Sequence, residues 1–413
     1  MTARELLRSA EIAAAAAQVG VLILARRGDR RSAAIGESVS VFCVRLGPTF
    51  VKLGQLLSTR VDLLPREAIL ALERLQNRLP PMSFFEARAA LERELCSPLD
   101  DVFASVDPTP VASGSIACVY RAELHDGRRV ALKVQRPGLA KLLLLDVKIL
   151  RCGARLLGRL PMLKNVPLEE GFEEISDTLI QQIDFERERE NLDRLAEALR
   201  DLPSVRLPRP VPELCSRHLL VLEFLDVEKS IFIANRVNGE LNAALGAALD
   251  ALYTMIFQAG LVHCDLHPGN LFLSASGEVV ILDTGFVAVI PPDTRRSFAA
   301  FFYGMATNNG PLCADLALDL ASRVPVGLSK PDFEAAISRI VADAAGMPVS
   351  EFSIGRFVAQ LFRAQASFGV RSSSAFTSAI LALLVFEGVA RQVNGELDFQ
   401  TAAKPHIARA LFS

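Results

Sequence analysis

A chain of 413 residues, 51% hydrophobic and 22% charged, can bury a large core, which excludes global disorder. Its formal net charge of −2 gives no basic face of the kind nucleic acid requires, so no nucleic-acid partner is expected. Seven dispersed cysteines with no C-x-x-C pair read as reduced thiols of a cytoplasmic protein rather than as a disulfide framework.

Residues 1–35 predict an Ala-rich helical segment. Its uncharged run from Ile12 to Ala25 is too short to span a bilayer. The cluster Arg26, Arg27, Arg30 and Arg31 follows as a candidate contact for an anionic membrane surface. Ser372 to Phe386 is also short, and Ser297 to Ala314 is interrupted by Asn308, Asn309, Gly310 and Pro311. No transmembrane helix is expected, which leaves peripheral attachment to the inner face of a membrane open.

Residues 36–108 predict helices, with Leu70, Leu72 and Leu75 at helical spacing and breaks at Pro65 and Pro80-Pro81. The pattern then changes. Two strand-like runs, Ile116 to Glu123 and Arg129 to Val134, flank the hairpin signal His125-Asp126-Gly127. Helical patterning returns over 139–160 and 168–200, and a proline-rich link leads to strand-like His218 to Phe224. Beyond it come a helix over 240–259, a loop over 263–270, strand-like Leu271 to Leu273 and Val279 to Leu282 around Ser276-Gly277, and mainly helix over 292–413. The order predicts an α+β fold of two lobes, a small β-containing one at 109–225 and a helical one at 226–413, behind a helical N-terminal extension.

The chemistry concentrates in His263-Cys264-Asp265-Leu266-His267-Pro268-Gly269-Asn270 and, after the second hairpin, Asp283-Thr284-Gly285. An aspartate, an asparagine five residues on and an aspartate beyond a hairpin match the catalytic and metal loops of kinases. Asp265 is then the residue that orients the nucleophile, and Asn270 and Asp283 supply oxygen ligands to Mg²⁺. Two other readings remain: a polar loop whose Asp and Asn cap turns, and a metal site of His263, Cys264, Asp265 and His267. The second needs a helix to bring the histidines together, against Pro268 and Gly269.

Only eight of the 45 basic residues are lysine, so Lys133 within Val130-Ala131-Leu132-Lys133-Val134 stands out. The run resembles the kinase strand whose lysine reaches the α- and β-phosphates of ATP. Such a lysine needs a carboxylate; the helix expected over 168–200 offers Glu186, Glu188 and Glu190, and Glu188 is the choice. The small-residue segment upstream assigns Ala112, Ser113, Gly114 and Ser115 to the phosphates, although its single glycine departs from a glycine-rich loop. Glu223 and Leu225, where the strand-like His218 to Phe224 ends, are further candidate nucleotide contacts.

Together these residues resemble the UbiB family of atypical kinase-like proteins, associated with ubiquinone biosynthesis. Leu46 to Gln55, with Lys52, Gly54 and Gln55, is similar to its K-x-G-Q segment, which ordinary kinases lack. Pro110 to Val119 is similar to its alanine-rich loop, and Glu387-Gly388-Val389-Ala390-Arg391 also fits. The resemblance implies that Lys52 and Gln55 line the nucleotide pocket from a segment that impedes protein substrates. Four positions depart from the family pattern: Gln182 for an acid in Glu-x-Asp, Cys118 for glutamine, Thr284 for phenylalanine and Gly114 for alanine. A C-terminal hydrophobic hairpin that anchors some members is not seen.

The resemblance implies an ATPase or atypical kinase that uses ATP and Mg²⁺ in isoprenoid-quinone biosynthesis, with quinone-precursor lipids, an anionic membrane and quinone-biosynthesis enzymes as partners. It requires the side chains at 133, 265 and 283 to converge on one magnesium–triphosphate. A small-molecule phosphotransferase of the aminoglycoside or choline kinase type shares the Asp265 to Asn270 pattern, and a non-catalytic nucleotide- and lipid-binding switch shares the fold.

Overall fold

The computed structural model describes residues 2–25, 31–58, 71, 72, 75, 80–159, 168–230, 238–267, 269–345, 347, 351–393 and 397–412. Arg26, Arg27, Arg30, Pro65 and Leu70 lie outside these residues. The chain divides into two compact units, Met1–Glu190 with Arg209–Phe224, and Asn191–Pro208 with Leu225–Ser413.

Helices α1 Ala3–Ala25, α2 Arg31–Leu46 and α3 Pro48–Ser58 open the first unit. Gly47, at φ +92, ends α2 in the left-handed conformation that favours glycine, and Pro48 starts α3 where its missing N–H has no partner to lose. Ile12, Cys43, Leu46 and Phe50 of these helices share a core with Leu72 and Leu75. A Cβ on Gly54 would meet Leu75 Cδ1 at 2.5 Å, so the glycine of the K-x-G-Q segment is a packing requirement.

Next come α4 Phe84–Leu95, entered through a capping box of Ser83 and Glu86, and the single turn α5 Leu99–Val102. Strands β1 Phe103–Val106, β2 Ala112–Ser113, β3 Ala117–Leu124 and β4 Arg129–Gln135 follow. β3 and β4 pair antiparallel through the expected hairpin, with Gly127 at φ +83. Cys118, Tyr120 and Ala122 of β3 and Val130, Leu132 and Val134 of β4 share a core with Ala87, Ala90 and Leu91 of α4. The two-residue period therefore turns Lys133 to the opposite face of the sheet.

After β4 run α6 Leu139–Leu157, α7 Leu168–Gln182 and α8 Phe185–Ala198, then β5 Val205–Arg206 and β6 Leu219–Glu223. β6 completes the sheet in the order β1-β3-β4-β6, with β2 on β3. Arg8 of α1 donates to both carboxylate oxygens of buried Asp146 in α6, at 2.7 and 2.9 Å, and to the Leu46 carbonyl at 2.7 Å. One guanidinium thus ties α1 to α2 and to α6.

The single helix expected over 168–200 is two. Gln135 Nε2 donates to the Ile183 carbonyl at 2.7 Å and the Phe185 N–H donates to the Arg217 carbonyl at 3.1 Å. These bonds engage backbone groups that a continuous helix would keep for itself. Asp184 Oδ1 then accepts the Glu186 N–H at 3.2 Å and starts α8.

The second unit holds β5, β7 Val227–Ser230, β8 Leu261–His263, β9 Leu271–Ser274, β10 Val279–Ile281 and β11 Val287–Val289, in the sheets β5-β10-β9-β7 and β8-β11. Helix α9 Asn238–Tyr253 enters a π-helical turn, Thr254–Ala259, that stops at Gly260 directly before β8. Gly260 has φ +67, and a Cβ there would meet the Ile290 carbonyl at 2.7 Å.

The C-terminal region is helical as expected, with α10 Pro292–Ala306, α11 Gly310–Asp319, α12 Lys330–Ala345, α13 Ile354–Ser367, α14 Ser374–Val393 and α15 Phe399–Phe412. Two short strands, β12 Ala321–Arg323 and β13 Arg371–Ser372, pair beside them. Phe298, Phe301 and Phe376 meet edge to face, the latter two at 5.8 Å between ring centres. Buried Glu387 accepts the N–H groups of Ile354 and Gly355, each at 2.9 Å, and so caps α13 from α14. No helix among the described residues is long and apolar enough to cross a membrane.

Candidate functional site

In the first unit, Lys133 Nζ donates to Glu188 Oε1 at 2.6 Å and lies 5.3 Å from the centre of the Phe185 ring. The side chains are 17% and 4% exposed, so this close pair lies largely out of water. The break before Phe185 is what sets this geometry, because it starts α8 where Glu188 falls in the first turn. Glu186 and Glu190, the other carboxylates offered by the sequence, are exposed.

The small-residue loop is a turn braced from below. Gly114 N–H donates to the Ala117 carbonyl at 2.9 Å. Arg136 donates to the Gly114 carbonyl at 3.0 Å, to Ser113 Oγ at 3.1 Å and to the Pro80 carbonyl at 2.8 Å. Ala112 and Gly114 are exposed, and Ser113 and Ser115 are half-buried. Cys118 is buried beneath, its sulfur 3.5 Å from Ser113 Oγ and accepting the Met82 N–H at 3.4 Å.

Lys52 is half-buried on α3, and Gln55 directs its amide to the Leu75 carbonyl at 3.5 Å. Glu223 ends β6 with its N–H on the Arg209 carbonyl at 2.7 Å. Leu225 is half-buried and belongs to the second unit.

In the second unit, the imidazole of His263 is fully buried, and burial pushes its pKa below the ordinary histidine value. Its Nδ1 accepts the Asp265 N–H at 3.2 Å and its Nε2 donates to the Asp283 carbonyl. A neutral ring thus joins the loop of Asp265 to the loop of Asp283. With both nitrogens engaged by backbone, and Cys264 buried with its thiol donating to the Val262 carbonyl at 3.4 Å, the reading of His263, Cys264, Asp265 and His267 as metal ligands does not hold.

Asn270 donates through Nδ2 to the Asp265 carbonyl at 2.9 Å, while the Leu282 N–H donates to the Asn270 carbonyl at 3.1 Å. These two bonds hold the Asn270 amide on the Asp265 backbone and fix the chain that leads into Asp283. Asp283 Oδ1 accepts the Gly285 N–H at 2.9 Å, and Asn191 Nδ2 donates to the Thr284 carbonyl at 3.2 Å. His267 Nε2 lies 3.8 Å from Asp265 Oδ1. Asn270 and Asp283 each offer oxygen donors, an amide and a carboxylate, of the type a hard divalent cation takes.

Residues 74–316 match the ABC1 atypical kinase-like domain, and residues 337–398 match the UbiB helical domain. The chain belongs to the UbiB family of atypical kinase-like proteins. It is 29% identical over 403 residues to a probable protein kinase UbiB of Marinobacter nauticus, covering 92% of this chain and 69% of that one. It is 30% identical over 385 residues to a probable protein kinase UbiB of Aliivibrio fischeri, covering 90% and 70%. An uncharacterized Synechocystis protein, sll1770, is 31% identical over 389 residues, covering 92% and 65%. The solved structure of an Rv3197–erythromycin complex from Mycobacterium tuberculosis shares the fold, with a TM-score of 0.55 and 22% identity over 90% of this chain and 94% of that one.

Against the UbiB pattern, the departures have distinct surroundings. Gln182 is buried, and among the described residues neither its amide oxygen nor its nitrogen finds a partner. Thr284 is buried, with its carbonyl held by Asn191. Three supports are not marked in the sequence: Arg136 against the small-residue loop, His263 as a strut and Asn191 on the loop of Asp283 and Thr284. The motif containing His263 was legible, but its role depends on burial, which a motif does not encode.

Proposed function

We propose that this UbiB-family protein binds Mg–ATP and acts as an ATPase or atypical kinase in isoprenoid-quinone biosynthesis at a membrane surface. The observation that carries the reading is the 2.6 Å pair of Lys133 and Glu188 on a β-sheet lobe, in a chain whose Asp265 and Asp283 loops are joined by a buried histidine. Lys133, kept charged by Glu188, neutralises phosphate oxygens, and the exposed backbone around Ala112 and Gly114, with Ser113 and Ser115, approaches them. Glu223 and Leu225 contact the base, and Lys52 and Gln55 border the nucleotide. Asp265 orients the attacking hydroxyl or water.

Asn270 and Asp283 are the residues that hold the metal. Bound Mg²⁺ supplies charge neutralisation of the triphosphate. The names of the relatives support a protein kinase UbiB role, and the Arg26 to Arg31 cluster supports contact with anionic lipid.

The test is phosphate release by the purified chain, with Mg–ATP, anionic-lipid vesicles and a quinone-precursor-like phenol. Turnover that rises with vesicles and is lost in Asp265→Asn supports the proposal. Tight ATP binding with no phosphate release from ATP under any of these conditions favours a nucleotide switch instead.

A further inference from the structure

The small-residue loop is the tip of a hairpin in the first unit. β2 pairs with β3, and the Gly114 N–H closes the hairpin on the Ala117 carbonyl at 2.9 Å. Ser115 and Ile116 lie beyond that closing bond, both half-buried. A backbone tip receives an anion when its N–H groups are free and its carbonyls are drawn off, because a carbonyl dipole repels the charge that an N–H attracts.

Arg136, directly after β4, draws off two of those carbonyls. Its backbone N–H donates to the Ile116 carbonyl at 2.9 Å and its Nε donates to the Gly114 carbonyl at 3.0 Å. One residue thus takes the carbonyls on both sides of Ser115. The N–H groups of Ser115 and Ile116 have no acceptor among the described residues.

The guanidinium is itself held in place. Nη2 donates to Ser113 Oγ at 3.1 Å and to the Pro80 carbonyl at 2.8 Å. Pro137 follows and biases the backbone of Arg136 toward the extended form, so the side chain continues from the end of the strand. The acceptors of the guanidinium are all neutral oxygens, which leaves its positive charge available to an anion at the tip.

We infer that Arg136 is a positioning residue for phosphate: by withdrawing the Gly114 and Ile116 carbonyls it presents the N–H groups of Ser115 and Ile116 to phosphate oxygens. The inference rests on the nucleotide reading and adds the residue that shapes its phosphate loop. Lysine at 136 would keep the charge but not the planar fork that reaches Gly114, Ser113 and Pro80 together.

The test is calorimetric titration of Mg–ATP and of adenosine into the full native chain, Arg136→Lys and Arg136→Met. Adenosine carries no phosphate, so its binding reports that the fold around the base survives in each variant. Mg–ATP affinity is expected to fall about tenfold or more in both variants, while adenosine affinity stays within about twofold. Native Mg–ATP affinity in Arg136→Lys, with loss only in Arg136→Met, would assign the effect to charge alone and overturn the inference. Equal loss of ATP and adenosine would overturn it as well, since Arg136 would then merely hold the fold. Failure of the native chain to bind Mg–ATP would remove the nucleotide reading itself, and is seen before any variant is made.

Discussion

The ammonium of Lys133 and the carboxylate of Glu188 meet at 2.6 Å with little exposure to water. Removing either partner strands the other in a poorly solvated place, at a cost of about 3 kcal/mol, the lower end of the range for a buried pair because Lys133 retains some exposure. Lys133→Met and Glu188→Gln should each lose about that much, and the double variant should recover part of it. Denaturant unfolding of the four proteins measures this coupling. Strict additivity of the two losses would contradict a direct interaction.

Burial governs the thiols. Cys96 and Cys152 are exposed, whereas Cys43, Cys264 and Cys313 are buried and their thiols are pushed up to about 12 by desolvation. Because the thiolate is the reactive form, two sites should react quickly with an aromatic disulfide reagent near neutral pH. In a Cys96→Ser, Cys152→Ser protein, Cys264 should react only as fast as its loop opens. Rapid modification of Cys264, located by mass spectrometry, would show that the loop is not packed as described.

Gln182 carries into a buried position an amide with no hydrogen-bond partner among the described residues. Methionine has nearly the same length and no polar groups to satisfy. Gln182→Met should therefore stabilise the protein by about 1–2 kcal/mol, read as a raised denaturation midpoint with an unchanged slope. A lowered midpoint would mean that the amide is satisfied in solution.

Glu387 holds the first N–H groups of α13 while pairing with Arg391 at 2.9 Å. Glu387→Ala removes a buried acceptor from four donors, Ser353 Oγ, the N–H groups of Ile354 and Gly355, and Arg391, and a loss of about 3–5 kcal/mol is expected. Hydrogen exchange should report the start of α13 as the first region to open. Unaltered protection there would rule out the capping role.

The hairpins were legible because their chemistry is local. Gly127 and Gly277 both adopt positive φ, at +83 and +85, in turns that the sequence marks with a polar residue before glycine. The face of the sheet that Lys133 takes follows from the core on the other side, where Val130, Leu132 and Val134 are buried. The break between α7 and α8 was not legible. Ile183-Asp184 contains no glycine or proline, and the helix is divided by Gln135 and by the backbone of Arg217, both distant in sequence. Gly54 shows the intermediate case: the K-x-G-Q pattern drew attention to it, while its reason is the approach of Leu75. Lys133 and Glu188 were paired correctly despite the misplaced helix boundary, since the charged strand lysine demanded a carboxylate and only Glu188 of the three candidates is buried.

The direct test of the central claim is calorimetric titration of ATP, with and without Mg²⁺, into the native chain, Lys133→Met and Asp283→Asn. Magnesium-dependent binding should weaken at least about tenfold, about 1.4 kcal/mol, in each variant. Native-like Mg–ATP affinity in both variants would contradict it.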